Sequence, residues 1–250
     1  MTIARAESQQ ADQIVRDLQE SYQMSVVKDW GEGTEADPQA WRGGEWSLDE
    51  LRTLQTGVAD LAQAMGGPAK FVQNIGAIRI SQVEMKHRGL ASVHGIRFTA
   101  SDISIDLWTV VHELAHVWDA RSGWRLSKAL ESYTGGRTNW VAMLLKRARR
   151  QCDEQSRLPG CNRFGYFYGD VPPAGADRNF NRREDFAESV AAYVYPARVQ
   201  GRVDRFKDDE GYRDLLYYAD YTQTRRWAFV DGLVRGTIVV SGQRRQRISG

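Results

Sequence analysis

Cysteine is scarce in this 250-residue chain, at two positions, and proline nearly so, at six. Two thiols cannot staple a fold, although the stretch between Cys152 and Cys161, around Pro159-Gly160, has a length that permits one local bridge. With 23 glycines and six prolines the chain is neither collagen-like nor of low complexity. No apolar run approaches the roughly 18 residues that a membrane-spanning helix needs, and the longest, such as Leu107–Val111, are broken by polar side chains. The opening MTIARAESQQ has no apolar signal core, so the expected compartment is the cytoplasm by default, with secretion by another route left open. What remains, 42% hydrophobic and 26% charged, is the composition of a globular protein.

The net charge of +2 conceals an asymmetry: residues 1–66 carry 5 Lys/Arg against 12 Asp/Glu, a balance of −7 that leaves +9 for the rest. The densest basic runs are Lys146-Arg147-Ala148-Arg149-Arg150 and Arg244-Arg245-Gln246-Arg247. Neither is interleaved with the aromatics that stack bases, so they read as a solvated helix face and a solvated tail rather than a nucleic-acid surface.

Apolar spacing predicts a helix over 6–20, with Ile14, Val15 and Leu18 inward, then a first strand within Tyr22–Trp30 and a loop over 31–44. Ser47-Leu48-Asp49-Glu50 is a capping box, followed by a stripe of Leu51, Leu54, Val58, Leu61 and Met65 that Gly66-Gly67-Pro68 terminates. Alternation predicts strands at 77–85 and 92–99, joined by a turn near Arg88-Gly89. A helix should begin near Ser101 to Ser104 and run to about Arg121, where Gly123 stops it. Further helices are expected near 126–133, 139–155, 183–194, 209–219 and 222–234. The order implies an α+β fold, a small mixed sheet with a mainly helical C-terminal half. The expected organisation is a single domain over 1–250: an N-terminal helix and strand, or an arm, over 1–40, a core over 41–236 and a basic tail over 237–250.

Two of the four histidines fall in His112-Glu113-Leu114-Ala115-His116, inside the predicted helix. At i and i+4 both imidazoles leave one face a turn apart, close enough to bind one Zn²⁺, with Glu113 beside them placed to take a proton from water. The chain's own composition would produce this HExxH pattern by chance only about 0.003 times. Hydrolytic zinc ordinarily keeps three protein ligands and one open position, so a third ligand must come from elsewhere. No histidine follows at the metzincin spacing, and His87 and His94 lie upstream on the presumed turn and strand. The best remaining segment is Glu184-Asp185-Phe186-Ala187-Glu188, opening a helix on which Glu184 and Glu188 share a face. Glu184 is the expected ligand, with Glu188 orienting a ligating histidine.

HELAHVWDARSG, from His112 to Gly123, followed by EDFAE, from Glu184 to Glu188, resembles the catalytic domain of the anthrax lethal factor-like gluzincin metallopeptidases, with their HExxHxxD and ExxAE helices. The resemblance covers the order of elements over about 45–235, although only the two motifs are specific. It implies a zincin-like fold and zinc-dependent endopeptidase activity, with His112, His116 and Glu184 as ligands and Glu113 as general base. By the same likeness Asp119 takes a supporting acidic position one turn beyond His116, and a toxin-like effector role is allowed. In that family a tyrosine that stabilises the oxyanion precedes the glutamate helix at a short interval. Here Asp177 stands in that place, which leaves Tyr168 as the candidate donor, with Tyr166 and Tyr193 behind it.

The expected partner is therefore a protein or peptide substrate, neither a membrane nor a nucleic acid, and the strand at 92–99 is the expected edge along which that substrate pairs. Oligomeric state is not legible. Two alternatives stay open: a zincin-fold module that binds peptide with little or no turnover, and a nucleic-acid-associated protein.

Overall fold

The computed structural model describes residues 2–27, 46–83, 85, 88–100, 105–138, 166–167, 181–199 and 221–240. Within it the described residues up to Arg121 and the described residues from Ser122 on each form a compact unit. Outside the described residues lie Tyr168, His87, Asp177, Cys152 and Cys161, the helices expected at 139–155 and 209–219, and both basic runs. The fold is mixed α and β with a small sheet and mostly helical content. No helix among the described residues is long and apolar enough to cross a membrane.

The first unit opens with α1 (Thr2–Tyr22), which buries Ile14 and Leu18, followed by β1 (Met24–Val26). Helix α2 (Leu48–Ala64) carries the capping box in full. The Ser47 hydroxyl accepts from the Glu50 N–H at 3.3 Å, and the Glu50 carboxylate accepts from the Ser47 N–H at 2.8 Å. Removing that hydroxyl with Ser47→Ala should cost about 1 kcal/mol, read as a lower midpoint in chemical denaturation. Gly66 and Gly67 end α2 as expected, but Pro68 also starts a helix, α3 (Pro68–Ile75), which the spacing did not reveal; its missing N–H costs nothing in a first turn.

The sheet has four strands in the order β1-β2-β4-β3, with β2 at Ile78–Val83, β3 at Gly89–Ser92 and β4 at Gly95–Thr99. β1, β2 and β4 run parallel, and β3 returns antiparallel to β4 through the two-residue turn Val93-His94. This corrects two expectations. The segment read as a turn near Gly89 is a strand, and the strand expected at the sheet's edge, β4, lies between β2 and β3. Ile80, Ile96 and Phe98 are buried on one face of the sheet, where Phe98 meets the ring of Trp46, two residues before α2, edge-on with centroids 6.2 Å apart.

Helix α4 (Leu107–Arg121) completes the unit. Its described start lies beyond the expected one: the Asp106 carboxylate accepts from the Thr109 N–H at 2.7 Å and so caps it. Ten of its residues, among them Trp108, Val111, Leu114, Val117 and Trp118, are buried, the pattern of a helix covered on nearly every side. α2 approaches it closely because Gly57 has no side chain; a Cβ there would lie 2.7 Å from Val110 Cγ1. At the far end Arg121 donates to the Ala77 carbonyl at 2.5 Å, tying α4 to the start of β2.

The second unit comprises α5 (Arg125–Thr134), the short pair β5 (Arg137–Thr138) and β6 (Tyr166–Phe167), α6 (Arg182–Val194), a 3-10 turn at Tyr221–Gln223 and α7 (Arg225–Arg235). Its core is Leu126, Leu130, Phe186, Val190, Phe229 and Val230.

Candidate metal centre

α4 places the two imidazoles. His112 and His116 meet with their Nε2 atoms 3.1 Å apart, the rings nearly perpendicular at 83°. The helical spacing delivers both to one stripe, and Asp119, fully buried, continues that stripe at i+7. Glu113 projects from a neighbouring position and is only 7% exposed. Its carboxyl lies against the backbone of Gly89 at the start of β3.

α6 carries the acidic pair. Asn181 caps it, its side-chain oxygen accepting from the N–H of Arg183 at 2.8 Å and of Glu184 at 3.4 Å. Two contacts fasten its first turn to α5. The Arg183 guanidinium lies 3.7 Å above the Trp124 ring, and Arg182 reaches Glu131 at 3.8 Å. Trp124 holds a left-handed backbone with φ of 62°, a conformation worth of order 1–3 kcal/mol of strain in a bulky residue.

Behind that turn is a buried polar cluster that no sequence pattern announces. Arg226 donates to Asp185 through Nε at 2.6 Å and Nη2 at 2.8 Å, and both side chains are wholly buried. Tyr166 donates its hydroxyl to the same carboxylate at 2.6 Å. Burial above all, then the Asp185 charge and hydrogen bond, push the Tyr166 phenol well above its ordinary range, so it stays a neutral donor. Tyr193 likewise donates to Asp231 at 3.0 Å, and burial raises it too. Two of the three tyrosines considered as oxyanion donors are thus bonded to carboxylates. The Asn181 cap carried a sequence signal, an Asn with Glu three positions on. Asp185 and Arg226 carried none, since they lie 41 residues apart.

The donor atoms of His112, His116 and Glu184 all lie within 4.8 Å of one another, so the three expected ligands are brought together. The spacing of the two imidazole nitrogens suits a shared metal ion. Two nitrogens bound tetrahedrally at the usual zinc distance stand about 3.3 Å apart, close to the 3.1 Å observed. A His-His-Glu cluster of this kind can bind a metal ion. No family model, curated protein or solved structure matches the chain.

Proposed function

We propose that the chain is a zinc-dependent endopeptidase of gluzincin type, with a zincin-like fold built on α4 and the mixed sheet. The observation that carries this reading is the convergence of His112, His116 and Glu184, with Glu113 one residue from the first imidazole. Two imidazoles and one carboxylate are the donors of hydrolytic zinc sites, which leave a fourth position open. When bound, the ion supplies a Lewis acid that polarises a carbonyl and makes water nucleophilic near neutral pH. Glu113 removes the proton from the attacking water and passes it to the departing amine, so the peptide C–N bond breaks as the acyl carbon gains the hydroxyl. Glu188, one turn beyond Glu184, orients a ligating imidazole, and Asp119 supports the helix from within. Tyr168 remains the candidate for the oxyanion.

β3 is the outer strand of the sheet among the described residues, so an extended substrate would pair along Gly89–Ser92 rather than along β4. The test is metal content of the purified chain, wild type beside Glu184→Ala and Glu188→Ala, coupled to casein digestion. Wild type should carry one zinc per chain and cleave casein. Glu184→Ala should lose the metal, whereas Glu188→Ala should weaken affinity about 10–100-fold. A wild-type chain that takes up no zinc, or a Glu184→Ala chain that retains full affinity, would refute the reading. Stoichiometric zinc without cleavage of any unfolded protein would instead favour a peptide-binding module, in keeping with the occupied hydroxyls of Tyr166 and Tyr193.

A further inference from the structure

Gly89 opens β3 opposite Phe98 of β4. Glycine is usually kept where the backbone is left-handed, and six described glycines have such positive φ, but Gly89 is not among them. Its backbone is ordinary strand that alanine adopts without strain, so the reason for a glycine lies in space. A Cβ at Gly89 would fall 2.5 Å from Glu113 Cδ and 2.6 Å from Cγ, and its third near neighbour is Oε1 of the same carboxyl. All three nearest atoms belong to Glu113.

We infer that Gly89 is a positioning residue for Glu113: the missing side chain on the outer strand defines where the carboxylate rests. The inference deepens the proposed function, because it rests on Glu113 being the general base. Alternation along β3 puts Gly89 and Ala91 on one face and Leu90 and Ser92 on the other, and Leu90 is 50% exposed. The strand thus turns its smallest side chains towards α4. Neither partner backbone yields easily. The strand is paired with β4, with the Thr99 N–H bonded to the Arg88 carbonyl at 3.0 Å just before Gly89, and α4 is held by Val110, Val111 and Leu114, all fully buried. The element that can give is the Glu113 side chain, and with 7% exposure it has little room to do so. A methyl group at Gly89 therefore displaces the carboxylate, and a general base must stay within hydrogen-bond reach of the proton it takes.

The test is a cycle of four full-length chains: wild type, Gly89→Ala, Glu113→Ala and the double variant. Chemical unfolding is followed on metal-free protein, and zinc content and casein hydrolysis on loaded protein. Gly89→Ala should lower the unfolding midpoint in the wild-type background and leave it unchanged or raised in the Glu113→Ala background. Loaded Gly89→Ala should keep its zinc and lose hydrolysis about 100-fold, the loss expected of a displacement near 1 Å. Equal shifts of midpoint in both backgrounds would overturn the inference, as would coupled unfolding with wild-type turnover. If Gly89→Ala does not fold but the double variant does, the contact is upheld; if neither folds, it is overturned. The two proposals fail separately: coupled unfolding in a chain whose wild type never hydrolyses peptide would refute the endopeptidase reading and leave the Gly89–Glu113 packing in place.

Discussion

Glu113→Gln should leave zinc in place and lower casein hydrolysis by about 10²–10⁴-fold, the range that a positioned general base contributes. The amide matches the carboxylate in size, so it fits beside Gly89 and keeps the packing of α4, on which Glu113 is one of ten buried residues. It lacks the basicity to accept water's proton, so only the proton transfer is removed. Zinc content measured beside kcat/KM separates this from ligand loss: His116→Ala should lose metal and activity together, Glu113→Gln activity alone. Full turnover in Glu113→Gln would end the role assigned to this residue, whatever the metal occupancy.

The candidate ligands were legible because each is written locally. His112 and His116 are one helical turn apart, and a helix registers that spacing wherever it packs. Glu184 could be placed because EDFAE combines an acidic first turn with a buried stripe, Phe186 and Val190, that fixes which side faces the core. The capping box at Ser47 was legible for the same reason, since both its hydrogen bonds close within four residues.

What was illegible depends on pairing across distance. Gly89-Leu90-Ala91-Ser92 is too short and too small-sided to signal a strand, and its partner β4 alone makes it one. Alternation at Ile96 and Phe98 announced β4 but carried no information about its neighbours, so its inner place in the sheet was missed. Proline at position 68 read as part of a stop because Gly66-Gly67 ends one helix directly before it, while proline is equally suited to the first turn of the next. The approach of Gly89 to Glu113 is likewise invisible in one dimension: a glycine beside a predicted turn has a ready local explanation, and only the packed strand shows that the local explanation is the wrong one.

The largest stability effect should come from Arg226. Its guanidinium is fully buried and binds Asp185 through two nitrogens, so Arg226→Met leaves a buried carboxylate that keeps the Tyr166 hydroxyl at 2.6 Å and the Ser189 hydroxyl at 3.5 Å but has lost its counter-charge. Removing one partner of a buried ion pair costs about 3–5 kcal/mol because the other charge stays out of water uncompensated. For a chain of this length that corresponds to a fall in Tm on the order of 10 °C. The double variant Asp185→Leu/Arg226→Met should recover much of the loss, since an apolar pair needs no solvation, and that recovery distinguishes a stranded charge from a simple cavity. For the proposed metal centre the consequence runs through the backbone of α6: Asp185 adjoins Glu184, so the pair that anchors the first turn also fixes the register of the candidate ligand. Arg226→Met should therefore weaken zinc binding at temperatures well below its own unfolding, and calorimetry with zinc titration reads both quantities on one sample. A Tm within 2 °C of wild type, with unaltered zinc affinity, would show that the cluster is neither the anchor of α6 nor a support for Glu184.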